Sequence, residues 1–294
     1  MGTTTVRRWI GLTALLVVVA LATFLAGCGG SDGGSSGGSG DGGSSTTTTK
    51  AAKKHRKAAT APKPLTGSYR GPVPILMYHV VTAPKPGTAY PELWVPAKTF
   101  AGTMLALRDA GYSGVTLDAV WKAWHGGPGL PDHPVVVSFD DGYLSHYEHA
   151  RPTLRALGWP GVLNIEGKNI DPKVGLSRRQ VRALIADGWE IDSHTMTHPE
   201  LPTVDDAQLK TELVASKKLI HDLFGVPVNF FCYPAGKNDA RVRAAVKAAG
   251  YLGATTVDPG VASKDDDPYA LPRVRVNGDD SAEAVVQRLK DLGA

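Results

Sequence analysis

Residues 66–294 predict an α/β fold, a parallel barrel built by alternating strands and helices. Three observations point there. Short runs of apolar and β-branched residues alternate with amphipathic stretches of helical length through the whole region. The polar residues able to carry chemistry, namely His79, Asp140, Asp141, His194 and Asp258, each follow a strand-like run, and a barrel collects its functional groups at that end of its strands. Low-complexity composition stops at about Leu65, so the remainder forms one domain.

The segments before the domain read in order. Arg7 and Arg8 lead into an apolar stretch from Trp9 to Phe24, too short and too early for an ordinary spanning helix, so residues 1–27 read as a signal peptide. The stretch closes on Leu25-Ala-Gly-Cys28, which resembles a bacterial lipobox. That resemblance implies cleavage before Cys28, lipidation of its sulfur and anchoring in the membrane; the alternative is an uncleaved N-terminal anchor. Either places the domain outside the cytoplasm. The Arg7-Arg8 pair also occurs in twin-arginine leaders, although basic leaders are general. Residues 28–65 are Gly/Ser/Thr-rich and then Lys/Ala/Pro-rich, a composition that cannot bury enough apolar surface to order itself and predicts a disordered tether. Lys50, Lys53, Lys54, Arg56, Lys57 and Lys63 lie in it, so much of the net charge of +4 belongs to the tether and leader. No basic patch interleaved with aromatics argues for nucleic acid.

Within the domain, strands are predicted at Val73–Tyr78, Ser113–Thr116, Pro134–Phe139, Gly161–Ile165, Glu190–Ser193, Asn229–Cys232, Gly253–Thr256 and Arg273–Val276. Helices are predicted among the intervening stretches, including Phe100–Ala110, Ser145–Leu157, Ser177–Ala186, Asp205–Phe224 and Ala240–Ala249.

Pro134-Val-Val-Val-Ser-Phe-Asp-Asp-Gly-Tyr143 carries the densest signal. Adjacent carboxylates at the end of a strand point to different partners, so one could bind a metal while the other handles a proton. A strand-to-loop turn that favours Asp and Gly for conformational reasons is the simpler alternative. The segment Trp189-Glu-Ile-Asp-Ser-His-Thr-Met-Thr-His198 shifts the balance. His194 and His198, four apart, would share one side of a helical turn, and two imidazoles with one carboxylate form a catalytic-type zinc set.

Together these motifs resemble the polysaccharide deacetylases, the NodB-like carbohydrate esterases of family four. Ser138-Phe-Asp-Asp-Gly142 and His194-Thr-Met-Thr-His198 are similar to the first two family motifs. Pro74-Ile-Leu-Met-Tyr-His79, Phe231-Cys-Tyr-Pro-Ala-Gly236 and Leu271-Pro-Arg-Val274 resemble further segments in the expected order, nearest to the poly-N-acetylglucosamine deacetylase branch. The resemblance narrows the fold to the family's irregular (β/α) barrel. It implies that Asp141, His194 and His198 hold a divalent metal, zinc first, with cobalt, nickel or manganese as alternatives. It further implies that Asp140 is the general base and that an amide near Ala235 stabilises the oxyanion, with Tyr233, Pro234 and Ala235 expected to meet the sugar; Tyr143, directly after the acids, reads either as lining the sugar site or as packing the turn. The implied partner is an acetylated amino-sugar polysaccharide, such as peptidoglycan or poly-N-acetylglucosamine, from which N-acetyl groups are removed.

The chain departs from the family pattern twice. Cys232-Tyr-Pro-Ala235 replaces the usual Arg-x-Pro-Tyr, so the arginine beside the base is missing there; Arg273 reads either as its replacement from another strand or as a surface residue. No histidine follows His221, where the family's general acid usually lies. His79 reads either as a substitute acid or as a structural histidine under the site. With Cys28 lipidated, Cys232 has no disulfide partner and reads as a buried apolar thiol. His125, His133, His146, His149 and His221 read as surface or helix residues, and most tryptophans as core. Asp258 reads equally as a pocket or a turn residue. An O-acetyl esterase of the xylan type, or a catalytically weak glycan-binding protein, remain the alternative functions.

Overall fold

The computed structural model describes residues 67–171, 173 and 175–294 of the chain. The predicted signal peptide, Cys28 and tether lie outside the described residues. Strands form at each predicted segment: β1 (Ile75–Tyr78), β2 (Ser113–Val115), β3 (Pro134–Asp141), β4 (Val162–Ile165), β5 (Glu190–Ser193), β6 (Phe230–Cys232), β7 (Gly253–Pro259) and β8 (Leu271–Arg275). All pairings are parallel, in the order β1-β8-β7-β6-β5-β4-β3-β2, and a further β1–β3 pairing closes the ring. β2 is the irregular member. It pairs only with the foot of β3, from Ser113↔Pro134 to Val115↔Val136, while β1 takes the upper part from Ile75↔Val136 to Tyr78↔Phe139. The barrel proper therefore closes through the other seven strands.

Helices α1 (Ala97–Asp109), α2 (Leu117–Trp124), α3 (Arg151–Leu157), α4 (Arg178–Ala186), α5 (Asp206–Lys210), α6 (Ser216–Phe224), α7 (Ala240–Ala248) and α8 (Ala282–Asp291) alternate with the strands. Their starts follow capping chemistry. Ser177 and Gln180 form a reciprocal capping box on α4, and Asp205, Asp239 and Ser281 accept from the amide of the third residue of α5, α7 and α8. The predicted Asp205–Phe224 helix is present with one wider turn, Thr211–Ala215, joining α5 to α6.

Strand alternation divides the core in two. Leu76, Val137, Phe139, Leu163, Ile191, Phe231 and Val274 face outward into the layer shared with the helices. Ile75, Val115, Val136, Val162, Phe230 and Leu271 face inward and cluster with Leu117 and Val120 of α2, making an apolar floor. Further along the same inward columns the residues become polar yet stay buried: Ser138, Asp140, Asn164, Asp192, His194 and Arg273. Those columns rise to the carboxyl ends of the strands, where a barrel places its chemistry.

Candidate active site

The two acids leave β3 in different directions. Asp140 lies within the strand register, paired with Asn164 of β4, and is 1% exposed. Asp141 closes the strand at φ +73°, and Gly142 follows at φ +90°. A Cβ on Gly142 would stand 2.8 Å from Cγ1 of Ile165, so conformation and space both require glycine there. The turn reading of Asp-Asp-Gly is thus correct about the backbone, and the same turn separates the two carboxylates.

Asp140 is held by three side-chain donors. Arg273 Nη1 donates to Oδ1 at 2.9 Å and Nη2 to Oδ2 at 2.8 Å, while Asn164 Nδ2 donates to Oδ1 at 2.8 Å. Arg273 is itself fixed, with Nε donating to the Thr256 carbonyl at 2.7 Å and Nη1 also reaching Ser138 Oγ at 3.2 Å. It is 1% exposed, so the surface alternative for this arginine is excluded. It reaches the acid from β8, because its strand alternation turns it to the barrel axis. Burial alone would raise the Asp140 pKa, but the charge and hydrogen bonds of Arg273 outweigh it and hold the carboxyl well below its ordinary range. His79, one residue beyond β1, places Nε2 3.8 Å from Asp140 Oδ2. Burial disfavours its charged form and lowers its pKa despite the nearby acids.

Asp141 has a different environment. Among the described residues its Oδ1 is buried without a hydrogen-bond donor, while His194 Nε2 lies 3.3 Å and His198 Nε2 3.6 Å from that oxygen. One ligand atom from each residue falls within 4.8 Å of the others. His194 Nδ1 bonds the Cys232 carbonyl at 2.7 Å, which leaves Nε2 directed at Asp141. An orphaned carboxylate oxygen facing two imidazole nitrogens is a donor set that fits a divalent cation. Asp140, His194 and Cys232 also approach one another. That set fits less well, because Arg273 and Asn164 already occupy both oxygens of Asp140.

The histidines do not share a helical turn. The segment after β5 is a loop, with Thr195 at φ +69° and His198 at φ +61°. Side-chain bonds replace helical geometry: Glu212 accepts from the amides of Met196 (2.8 Å) and Thr197 (2.9 Å), and Thr195 Oγ1 accepts from the His198 amide at 2.9 Å. The spacing signals convergence, but the reason lies in this glutamate-clamped loop.

His79, Asp140, Asp141, His194 and His198 line a cavity of about 710 Å³ together with Tyr90, Glu92, Tyr233, Ala235, Arg275 and Asn277. Tyr233 and Ala235, expected to meet the sugar, are among the lining residues. Pro234 is buried and starts the turn, in which Ala235 adopts φ +50°. Tyr143 is absent from the lining and packs edge-on against His146, with ring centroids 5.9 Å apart. Asp258 is exposed within β7 and absent from the cavity lining, and its amide bonds Thr256 Oγ1, so neither the pocket nor the turn reading describes it. His146 is fully buried rather than superficial, bonding the His79 carbonyl through Nε2. Cys232 is a buried free thiol. Sequence reasoning missed Asn164, Glu212, Arg275 and Asn277; the inward period of β4 and β8 is the signal that could have found Asn164 and Arg275.

A closed parallel barrel with two acids, two histidines and a buried arginine at its mouth defines a hydrolase class by its geometry, and similarity specifies which. The polysaccharide deacetylase family model matches residues 128–254. The chain is 33% identical over 205 residues to the Bacillus subtilis protein described as polysaccharide deacetylase YxkH, covering 70% of this chain and 71% of that one. A 65-residue stretch is 42% identical to poly-beta-1,6-N-acetyl-D-glucosamine N-deacetylase of Escherichia coli K12, 22% of this chain and 10% of that protein. In structure, the Streptococcus pyogenes deacetylase PplD superposes with a TM-score of 0.68 at 24% identity, over 74% of this chain and 97% of that one. The chain belongs to the polysaccharide deacetylase family.

Proposed function

We propose that the protein removes N-acetyl groups from an N-acetylhexosamine polymer outside the cell, with Asp141, His194 and His198 holding a divalent metal, zinc by preference. The observation that carries this reading is the separation of duties between the two acids. Asp141 offers an oxygen without a donor beside two imidazoles. Asp140 has its oxygens ordered by Arg273 and Asn164, leaving a side of Oδ2 toward His79. When bound, the metal would acidify a water and polarise the acetyl carbonyl.

The chain's own residues do the rest. Asp140 Oδ2 accepts the proton of the attacking water, as a carboxylate locked by a guanidinium keeps its orientation through the step. Water oxygen joins the acetyl carbon and the carbon–nitrogen bond breaks, so the products are acetate and a sugar amine. His79 stands beside the same oxygen and delivers a proton to the departing nitrogen. The backbone at Ala235, which lines the cavity, faces the oxyanion. The Escherichia coli relative supports an amide substrate over an ester, although the likeness is limited to a short stretch. The apolar N-terminal stretch and Cys28 support attachment to the outer face of the cytoplasmic membrane.

Acetate release from chitooligosaccharides, peptidoglycan and acetyl-xylan, with and without added zinc, tests this function. Release from the amide substrates only in the presence of metal is expected; release from xylan alone would establish the esterase alternative. Binding without release from any would favour the glycan-binding one. His79→Gln is expected to cut turnover by roughly a hundredfold or more and to remove one limb of the pH profile. An unchanged profile would return His79 to a structural role.

A further inference from the structure

Tyr90 is the most exposed large hydrophobic side chain among the described residues, at 70%. It lines the same cavity as His79, Asp140 and the three candidate metal ligands. A ring left in water forgoes the burial that Tyr78, Phe100 and Phe139 obtain by packing on one another. Its backbone is unusual as well. Tyr90 stands at φ +51° and ψ +57°, the left-handed region that a side chain with a Cβ disfavours. The next residue is Pro91, whose ring crowds the residue before it and pushes that residue toward extended conformations instead. Gly or Asn would hold this conformation at less cost.

The surroundings fix the strain in place. Pro91–Leu93 form a single turn, in which the Leu93 amide donates to the Tyr90 carbonyl at 3.0 Å and the Trp94 amide to the Pro91 carbonyl at 3.1 Å. On one side the Val80 amide donates to the Leu93 carbonyl at 3.1 Å, and the Val95 amide to the Val80 carbonyl at 2.8 Å. On the other side the Gly278 amide donates to the Glu92 carbonyl at 3.0 Å. A Cβ at Gly278 would stand 2.2 Å from the Trp94 carbonyl oxygen, so the two loops lie directly on each other. The turn is thus clamped between the chain leaving β1 and the chain leaving β8, at the carboxyl ends of two paired strands. Strain of this kind persists only where the surroundings over-determine it, and it gathers at sites of function.

We infer that Tyr90 is the stacking platform for a second sugar ring of the polymer, beside the ring that loses its acetyl group. The inference deepens the deacetylase reading and rests on it. An aromatic face is apolar and carries negative charge density, and a pyranose with equatorial substituents presents axial C–H groups to it. The ligand class is therefore a chain of equatorially substituted pyranoses, N-acetylglucosamine among them. Ordering the platform costs little on binding, since its backbone is already fixed and a tyrosine has only two side-chain torsions. Stacking uses the ring and not the hydroxyl, so Phe or Trp should serve in its place.

Titration calorimetry of zinc-supplied protein with chitotetraose tests the platform. Tyr90→Ala and Tyr90→Gly are expected to weaken binding by about tenfold, while Tyr90→Phe and Tyr90→Trp stay within roughly threefold of the wild type. Zinc content should be unchanged in all four, because Tyr90 is not among the candidate ligands. Tyr90→Gly should also keep or raise the urea midpoint of unfolding, as glycine relieves the left-handed backbone. A residue that only shapes its loop would behave in the opposite way, with a lower midpoint and unchanged affinity in Tyr90→Gly. Equal chitotetraose affinity in wild type and Tyr90→Ala, or a loss in Tyr90→Phe as large as that in Tyr90→Ala, overturns the inference. Acetate release by the wild type is followed on chitotetraose and peptidoglycan. Its absence from both would defeat the deacetylase reading, whereas release with full affinity in Tyr90→Ala would defeat the platform alone.

Discussion

Around Asp140 every donor is committed: Arg273 supplies two hydrogen bonds to its oxygens and Asn164 a third. One residue on, Asp141 keeps an oxygen with no donor and two imidazole nitrogens within 3.6 Å. The first region is built from strand side chains whose direction is set by alternation, and the second from turns held at positive φ: Asp141, Gly142, Thr195 and His198. Strands supply a rigid, dry cage that keeps a carboxylate ionised. Loops supply the closer, off-register approach that several ligands need to converge on one point. The two adjacent acids differ because the chain turns between them.

The largest expected effect comes from breaking the cage. Arg273→Met leaves Asp140 buried without its counter-charge, and denaturant unfolding should show a loss of about 3–5 kcal/mol. A loss below about 1 kcal/mol would mean that the pair contributes little and that the cage is looser than its distances suggest. On the loop side, Glu212→Ala removes the acceptor that gathers the Met196 and Thr197 amides. Zinc affinity should fall by roughly 10- to 100-fold, with global stability much less affected. An unchanged affinity would show that His198 is positioned without the clamp. Asn164→Ala, which withdraws one donor from Asp140, should cost about 1–3 kcal/mol and leave zinc affinity intact.

A pH-dependent effect concerns His146, whose ring bonds the His79 carbonyl. Burial lowers the His146 pKa from 6.5 to about 4. Between those values the unfolded chain binds a proton that the folded one does not, so stability is fully present above pH 6.5 and declines as pH falls toward 4. The slope is about 1.4 kcal/mol per pH unit from this group. Urea unfolding at several pH values should show a shallower acid slope in His146→Phe than in the wild type. Identical slopes would mean that His146 is protonated in the fold.

Much of the cage and most of the fold could be read from residues alone. The eight strands and the inward Asp140 follow from period-two alternation and the order of segments, whereas Arg273 stayed open between a replacement from another strand and a surface residue until its burial was seen. The loop side was legible only as a list of ligands. The His194 and His198 spacing suggested a helical turn, but convergence depends on left-handed backbone at Thr195 and His198 and on Glu212, which lies in a later helical turn. Periodicity carries no information about such long-range clamps. His146 was missed for a related reason. Its helix spacing was visible, whereas the His79 carbonyl that it meets follows β1, a neighbouring strand far earlier in the chain.

The division between the two acids is tested most directly by paired substitutions, Asp140→Asn and Asp141→Asn, each assayed for bound zinc and for acetate release from chitotetraose. Asp140→Asn should retain zinc while acetate release falls by roughly a hundredfold or more, and Asp141→Asn should lose both. Loss of zinc from Asp140→Asn, or retention of full zinc by Asp141→Asn, would contradict the assignment.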